Sequence, residues 1–358
     1  MSIKIQSSEI NRMLKVVTQC SNPKDANRSN VKIYTEGGGL FMNSSNGQMD
    51  VIIGTTCQID DFDQFCVDAQ MLHRICSNCS GDITIDVSER ACTIKGAGRT
   101  KIPVVNAKIP KFQTIKGDKV SFKAEDLYKA FSKISFCIAS EKLGRPVLTG
   151  VRFEVNDNVA TIVTIDGFRM SKESFPCDGD DVSATIPGAF VKILTSSVSS
   201  GDVTLTFSNS HVCAVSLTSD NTFMLNTVLL AESFPDHKRM LPEKYKTSIL
   251  VNADEMINAL RSSSVVEGNM IRLSIANDTV RITSNDGKVD FEAIVPCAIT
   301  GADMNIAFNQ NYITESIISV YADEISIGFS SSLGPCIISE KGNDNVRLVL
   351  PVRVGVSP

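Results

Sequence analysis

The chain repeats itself three times, and the repeat is close to one third of its 358 residues. Three similar turn sequences contain Gly47, Gly167 and Gly287, which lie 120 residues apart twice over. A second set of segments begins at a turn and continues with alternating apolar residues, at spacings of 120 and 122: Gly81–Val87, Gly201–Phe207 and Asp323–Phe329. Solenoid repeats are far shorter, about 20 to 50 residues. The repetition therefore predicts three similar domains.

The length supports this division, because 358 residues exceed what one ordinary core accommodates. The predicted boundaries are 1–117, 118–243 and 244–358.

Two helices are predicted in each third from apolar residues spaced along one helical face. The first helices carry Ile10, Met13, Leu14 and Val17; Leu127, Ala130, Phe131 and Ile134; and Met256, Ala259, Leu260 and Ser263. The second helices carry Leu72, Ile75, Cys76 and Cys79; Val191, Leu194, Thr195 and Val198; and Ile313, Ser316, Ile317 and Val320. The remaining sequence alternates apolar and polar residues between Gly, Asn, Asp and Ser turns, which is typical of antiparallel hairpins. The predicted class is α+β, with two helices packed on antiparallel sheets in each domain.

Charge is distributed unevenly along the chain, although the net charge is only −5. Residues 1–117 hold 14 basic and 11 acidic side chains, residues 118–242 hold 12 and 15, and residues 243–358 hold 9 and 14. The net charge is therefore +3 for the first third and −5 for the last third. If two chains met head to tail, the first third of one would attract the last third of the other.

The N-terminal residues contain no apolar segment of a secretory signal, and no apolar run approaches 18 residues. We therefore expect a cytoplasmic protein without membrane contact. Eleven cysteines without a disulfide-type spacing are then expected to be reduced thiols, used mostly as small apolar residues.

Four segments in a fixed order resemble the bacterial DNA polymerase III beta subunit, the sliding clamp family. They are Arg145–Glu154, Thr164–Met170, Phe234–Pro242 and Arg347–Val354. The resemblance implies three tandem DNA-clamp domains, assembled as a head-to-tail homodimeric ring with helices lining a central hole. It also implies a non-catalytic processivity factor that encircles double-stranded DNA without sequence specificity. A short linear motif would recruit DNA polymerase and the clamp loader, and no cofactor is expected.

The same resemblance implies a peptide-binding groove between the second and third domains. Its residues are Leu148, Ile165, Gly167, Phe168, Arg169, Met170, Pro235, Arg239, Met240, Leu348, Leu350, Pro351, Val352 and Arg353. Apolar side chains would receive the Leu and Phe anchors of a motif, and arginines at the rim would bind carboxylates or carbonyls. Two departures affect partner preference. Ile165 stands where many members have a hydroxyl residue, and Gly355–Pro358 extends beyond the usual end.

The DNA-facing surface is predicted from basic residues opposite the apolar helix faces and in nearby loops. The set is Arg12, Lys15, Lys24, Arg28, Arg74, Lys129, Lys133, Lys142, Arg145, Lys192 and Arg261. Contacts from such residues go to phosphates and carry no sequence information, as a sliding protein requires. An ordinary solvated helix face is the competing interpretation for each of them. The third domain fits poorly, since its helices carry Asp254, Glu255 and Glu315 against Arg261 alone.

For the subunit interface, the resemblance points to Ile109 in the first domain and to Val265 and Val266 in the third.

The remaining motifs in the sequence indicate neither a metal site nor a catalytic site. His73, Cys76 and Cys79 offer zinc-type ligands, but their spacing is helical and no second Cys pair is near, so no metal is expected. Two alternatives remain open: a ring-forming clamp paralogue with altered partners, and a hydrolase or transferase that uses Asp166 with Arg169. The second lacks a nucleophile and base.

Overall fold

The computed structural model describes residues 2–56 and 64–353 of the chain, except the side chain of Leu143. The C-terminal extension Gly355–Pro358 and the last residue of the terminal family-like segment, Val354, lie outside the described residues.

The helices and strands follow the predicted repetition. In the first third they are β1 (Ser2–Gln6), α1 (Ser7–Gln19), β2 (Asn30–Glu36), β3 (Gly39–Ser45), β4 (Met49–Thr56), β5 (Phe65–Asp68), α2 (Ala69–Cys76), β6 (Asp82–Val87), β7 (Ala91–Lys95) and β8 (Arg99–Pro103). In the second they are β9 (Asp118–Lys123), α3 (Ala124–Ile134), β10 (Gly150–Asn156), β11 (Val159–Ile165), β12 (Arg169–Pro176), β13 (Asp178–Gly179), β14 (Val182–Pro187), α4 (Gly188–Ser197), β15 (Asp202–Phe207), β16 (His211–Leu217) and β17 (Asn221–Val228). In the third they are β18 (Thr247–Asn252), α5 (Ala253–Ser262), β19 (Met270–Ala276), β20 (Thr279–Asn285), β21 (Asp290–Gly301), β22 (Met304–Asn309), α6 (Gln310–Ile318), β23 (Glu324–Phe329), β24 (Cys336–Glu340) and β25 (Val346–Val349). Short 3-10 turns span Ser135–Cys137, Glu141–Leu143, Pro146–Thr149, Lys238–Met240 and Ser263–Val265.

The predicted pair of helices is present in each third, and their apolar faces are the buried ones. On α1, Ile10, Met13, Leu14 and Val17 are each 0% exposed. Three helices begin at a side-chain cap, in which Asp68, Asn252 and Asn309 accept backbone N–H groups of the first turn. The α+β class predicted from the sequence is confirmed.

By compactness, the chain divides into two units. The first comprises residues 1–128, 155–159 and 176–231 and contains two antiparallel sheets. Their strand orders are β1-β6-β7-β8 and β13-β9-β15-β16-β17-β4-β3-β2-β5. Helix α1 packs on α2, and α4 packs on β17.

The second unit comprises residues 129–154, 160–175 and 232–358 and is built on one continuous sheet. Its strand order is β10-β11-β12-β25-β24-β23-β18-β21-β20-β19-β22. Helices α5 and α6 pack on each other and on this sheet around a core that includes Met256, Leu260, Phe308 and Phe329. Because each unit takes part of the central third, the boundaries at 117 and 243 remain a prediction.

No helix within the described ranges is both long and apolar enough to cross a bilayer.

Candidate peptide-binding groove

The turn at Asp166 positions the central residues of the predicted groove. Asp166 Oδ1 accepts the backbone N–H groups of Phe168 and Arg169 at 2.9 and 2.8 Å, while Gly167 adopts a φ of +92°. An L side chain rarely adopts this backbone conformation, so glycine fits the position. The turn therefore begins β12 with Phe168 and Arg169 in fixed directions.

The two sister turns have the same geometry. Asn46 Oδ1 and Asp286 Oδ1 each accept the N–H groups two and three residues ahead, and Gly47 and Gly287 have φ values of +90° and +86°. The three turns therefore differ in their neighbouring side chains rather than in their backbone.

Strand pairing brings the segments of the predicted groove together. β12 runs antiparallel to β25, with Arg169 opposite Val349 and Met170 opposite Leu348. Past the end of this ladder, the N–H of Leu350 donates to the carbonyl of Phe168 at 2.9 Å. Residues separated by about half the chain are thus joined by main-chain hydrogen bonds.

The floor of the groove is a buried apolar cluster. Four predicted residues belong to it, and each is at most 5% exposed: Leu148, Ile165, Met170 and Leu348. Ala139, Val147, Val163 and Ile337 complete the cluster, against which Phe234, Leu241 and Val346 pack. The predicted Ile165 fills a place in this apolar floor.

Four apolar side chains of the predicted groove set are exposed. Phe168, Met240, Leu350 and Val352 are 49%, 37%, 41% and 39% exposed. Pro235 and Pro351 are half-buried, while Arg353 is exposed. Exposed Arg239 pairs with Asp236 at 3.0 Å. Large apolar side chains clustered at the surface commonly mark binding sites.

Arg169 is not at the rim, which corrects the expectation from the sequence. It is 7% exposed, and its Nε and Nη1 donate to Asp166 Oδ2 at 2.9 Å and Glu315 Oε2 at 2.5 Å. A buried guanidinium needs partners, and here they are two carboxylates of the same chain, buried Asp166 and exposed Glu315. Arg169 is therefore supported by carboxylates of its own chain and is not a free cation at the surface.

Two aromatic residues that the sequence did not reveal complete this support. The Arg169 guanidinium carbon lies 4.3 Å from the ring centroid of Tyr312 and 5.0 Å from that of Phe136. The Tyr312 ring also lies 5.6 Å from Phe168. Tyr312 and Glu315 lie on one side of α6 at a spacing of three residues, which is the only signal that could have linked them. Glu315 seemed to oppose DNA binding, whereas its charge pairs with Arg169.

The segment Phe234–Pro242 carries a small polar cluster beside the groove. His237 is 4% exposed, and burial lowers its pKa below the usual 6.5 despite the negative charge of Glu154. Burial acts to raise the pKa of Glu154, but the hydrogen bond from Arg152 at 3.0 Å and nearby positive charges lower it overall. Lys238 lies 3.6 Å from the same carboxylate.

Most predicted DNA-facing residues are exposed side chains. The exposed members include Lys15, Lys24, Arg74, Lys129, Lys142, Arg145, Lys192 and Arg261. Lys133 is half-buried, and its Nζ lies 6.0 Å from the Tyr321 ring centroid.

Two arginines of the set have partners within the chain. Arg12 is half-buried and donates to Glu9 and to Asn221 Oδ1 at 2.6 Å. Arg28 lies 3.8 Å from Asp25, and its guanidinium occupies the space above Gly47. The Arg12 guanidinium is therefore already hydrogen-bonded within the chain, whereas its position on the helix predicted a cation free to contact DNA.

The predicted interface residues differ in exposure. Val265 is 64% exposed, Val266 is 3% exposed, and Ile109 is half-buried. Val266 therefore has little exposed surface, and the interface assignment of all three residues stays a prediction.

The remaining chemical motifs have structural roles. No group of three or more His, Cys, Asp or Glu side chains suited to a metal occurs in residues 2–56 and 64–353. Seven of the ten described cysteines are buried, and burial raises the pKa of Cys76, for example, to about 12. Both carboxylate oxygens of Asp166 are engaged within its own turn. The residue proposed for a hydrolase thus holds the turn and Arg169.

Comparison with known proteins agrees with this architecture. Residues 121–236 match the model of the DNA polymerase III beta subunit central domain, and residues 238–353 match that of its C-terminal domain. The "Beta sliding clamp" of Staphylococcus aureus is 23% identical over 292 residues, which are 76% of this chain and 75% of that protein. The Staphylococcus epidermidis clamp is 25% identical over 247 residues, covering 66% and 64%.

Solved structures show the same fold. A DNA polymerase sliding clamp from Pseudomonas aeruginosa superposes with a TM-score of 0.88 at 22% identity, over 99% of this chain and 100% of that one. A second structure of the Pseudomonas protein, bound to griselimycin, gives a TM-score of 0.90. The beta subunit from Thermotoga maritima gives 0.90 at 18% identity, with the same coverage.

The repeated α+β pattern of helices on antiparallel sheets, shared with these solved structures, defines a protein of the DNA-clamp class. The two domain models together span residues 121–353. The chain belongs to the DNA polymerase III beta subunit family, the bacterial beta sliding clamps. This family is a non-catalytic processivity factor of DNA polymerase III, so the chain is not an enzyme.

Proposed function

We propose that two copies of this chain close head to tail around duplex DNA and tether DNA polymerase and other replication or repair proteins. The observation that supports the proposal is the β12–β25 junction, which carries both a buried apolar cluster and exposed apolar side chains of the predicted groove set. A cytoplasmic location belongs to the same proposal, since that is where bacterial replication takes place.

Partners would bind the groove through a short segment with apolar anchors. Phe168, Met240, Leu350 and Val352 offer the accessible apolar surface. Exposed Arg239 and Arg353 offer positive charge beside it. This combination suits a peptide that carries Leu and Phe anchors with an acidic or amide neighbour. The clamp loader and polymerase would compete for the one groove of each chain.

DNA would be held by charge and topology rather than by base recognition. The exposed basic residues of the predicted set, Arg28 included, would supply phosphate contacts, which are long-ranged and insensitive to sequence. Such contacts weaken with salt, whereas a closed ring stays on circular DNA.

The topological part is tested on nicked circular DNA. The wild-type chain, loaded with a matching clamp loader and ATP, should stay bound through a high-salt wash and leave once the DNA is linearised. Retention on linear DNA with free ends would show ordinary affinity and contradict encirclement.

The groove is tested with a labelled peptide of the Gln-Leu-x-Leu-Phe type. Phe168→Ala and Met240→Ala should each weaken binding by about tenfold, because truncating an anchor residue typically costs more than about 1 kcal/mol. Leu217→Ala is the matched control, since Leu217 is 64% exposed and lies on β16 outside the groove set. Unchanged affinity in both groove variants would refute the site.

A further inference from the structure

Three basic residues occupy equivalent positions in the three repeats. They lie 120 residues apart, as the glycines of the sister turns do, on β2, β10 and β19: Lys32, Arg152 and Arg272. The residue two places further along each strand is on the same face of the sheet. These neighbours are Tyr34, Glu154 and Ser274. They decide whether each cation has a partner within its own repeat.

Two of the three cations are held by this neighbour. Lys32 Nζ lies 5.0 Å from the ring centroid of Tyr34, and Arg152 Nε donates to Glu154 Oε1 at 3.0 Å. Arg272 is exposed, and it forms no ion pair in the described part of the chain. The third cation therefore lacks a counter-charge there.

The space beside Arg272 is open in the third repeat. A cavity of about 450 Å³ lies there, and its lining includes Ser274 and Arg281. Their equivalents in the first repeat are Tyr34 and Phe41, whose rings stack with their centroids 5.5 Å apart. Because a serine replaces the tyrosine, the third repeat has a cavity where the first carries two packed rings.

Strand register places both arginines on the face of the sheet that is turned away from the core. Arg272 lies opposite Ala307 on β22, and Ser274 lies opposite Arg281 on β20. Between them on β19, Leu273 is 0% exposed and belongs to the core. Since successive side chains of a strand point to opposite faces, the two arginines point to solvent. A ligand can therefore reach the cavity without opening the core.

The segment after β25 connects the cavity with the predicted groove. The N–H of Leu350 donates to the carbonyl of Phe168 at 2.9 Å, and the N–H of Val352 donates to the carbonyl of Ala307 at 2.8 Å. Val352 is a member of the predicted groove set and also lines the cavity. Leu333, which is 71% exposed, lines it as well. A peptide that lies on Phe168 and Leu350 and continues past Val352 would therefore enter the cavity.

We propose that the cavity is an accessory subsite of the groove, in which Arg272 binds the carboxylate of an acidic residue that flanks the apolar anchors of a partner peptide. The inference rests on the proposed peptide binding and adds the chemistry of the flanking residue. A guanidinium binds a carboxylate through two parallel N–H donors, so the contact depends on geometry as well as on charge.

The polar groups around the cavity single out Arg272 as the main cation. Arg281 Nη1 already lies 3.3 Å from Glu292 Oε1, so its charge is largely offset. Among the described residues, no acidic side chain lines the cavity. Thr283 and Asn305 line it and add a hydroxyl and an amide donor for a carboxylate.

Three labelled peptides of the Gln-Leu-x-Leu-Phe type test the proposal, with the full chain at low salt and fluorescence anisotropy as the measurement. One carries Asp-Asp before the motif, one carries Asp-Asp after it, and the third carries Asn-Asn on both sides. One acidic flank should raise the affinity about fivefold, the upper range for an exposed ion pair. The other flank should not, because Val352 alone of the groove set lines the cavity. Equal gains from both flanks would indicate general attraction and overturn the subsite.

Two variants remove the subsite in different ways. Arg272→Gln removes the cation, and Ser274→Tyr with Arg281→Phe fills the cavity with the side chains of the first repeat. In both variants, the preferred acidic peptide and the neutral peptide should bind with the same affinity. Lys32→Gln is the matched control, because it removes the equivalent cation of the first repeat, and it should keep the preference. A preference that survives in either subsite variant, or that Lys32→Gln abolishes, would overturn the assignment.

The outcomes separate this inference from the proposed function. If all three peptides bind the wild-type chain with equal affinity, the subsite is overturned while the groove stands. If none of them binds, both are overturned.

Discussion

Two internal junctions of the chain share one backbone pattern and differ in their side chains. β4 pairs with β17 and β12 pairs with β25 in equivalent registers, starting with Met49 opposite Thr227 and Arg169 opposite Val349. The first junction carries no groove residue, and the second carries the candidate site. The difference therefore comes from side chains alone.

One face of the ladder changes from apolar to charged between the junctions. In the first junction it presents Val51, Ile53 and Leu225, all 0% exposed. The equivalent residues of the second are Ser171, Glu173 and Arg347, at most 4% exposed. Arg347 Nη2 donates to Glu173 Oε1 at 2.5 Å, and its Nε donates to Ser319 Oγ at 2.8 Å. The second junction thus buries an ion pair where the first packs hydrocarbon.

The opposite face of the ladder is polar in the first junction and apolar in the second. Asp50 lies opposite Asn226 in the first junction, and the Asn226 amide donates to the carbonyl of Gln113 at 3.0 Å. The second junction has Met170 opposite Leu348, which form the groove floor. An exchange of polarity between the two faces of the ladder therefore distinguishes the junction that carries the candidate site from the one that does not.

Among the variants that test this comparison, a replacement of Arg347 should lower the free energy of unfolding most. Arg347→Leu introduces the residue found at the equivalent Leu225, but leaves the Glu173 carboxylate buried without its cation. Breaking a buried pair from one side costs about 3–5 kcal/mol of unfolding free energy. Urea denaturation followed by circular dichroism measures the loss.

The matched control is Arg347→Leu with Glu173→Ile, which introduces the residues of the first junction, Leu225 and Ile53, on both strands. Replacing both partners by apolar residues should recover most of the loss. An equally unstable double variant would mean that the ion pair is not the cause.

A smaller loss of stability, equal at both positions, is expected when the glycines of two sister turns are replaced. Gly167→Ala and Gly287→Ala should each cost about 1–2 kcal/mol, because the left-handed φ of each glycine is unfavourable for alanine. The added Cβ would meet no atom within 4 Å in either case, so sterics do not separate the two. Only Gly167→Ala should also weaken peptide binding, which fluorescence anisotropy measures. Weaker binding in Gly287→Ala would show that the effect is not local to the groove.

The smallest expected effect is a dependence of the chain's stability on pH, caused by the buried His237. Burial lowers the pKa of His237 below 6.5 in the folded chain, so the unfolded chain binds more protons as the pH falls through 6.5. Stability should therefore be fully present above that pH and decline below it. His237→Gln should flatten this decline in thermal unfolding at pH 5.5 to 7.5. An unchanged slope in the variant would assign the decline to other groups.

The sequence predicted the fold because its signals are local. Apolar spacing gave the faces of α1 and α3, and the Asn or Asp before each glycine gave the turns at 47, 167 and 287. The groove residues were assigned because the segments that contain them resemble the family, and that assignment stays a prediction. Arg169 was misplaced because nothing local to it shows that Glu315, 146 residues away, neutralises its charge.

The sequence by itself determined the threefold repeat, the helices and turns of each copy, and the family, because these depend on neighbouring residues and on segment order. Only the tertiary structure decided that Arg169 pairs with carboxylates of its own chain and that Arg347 pairs with Glu173, 174 residues away. The physical reason is that burial and ion pairing depend on strand register across distant segments. A residue's own sequence neighbours do not contain that information.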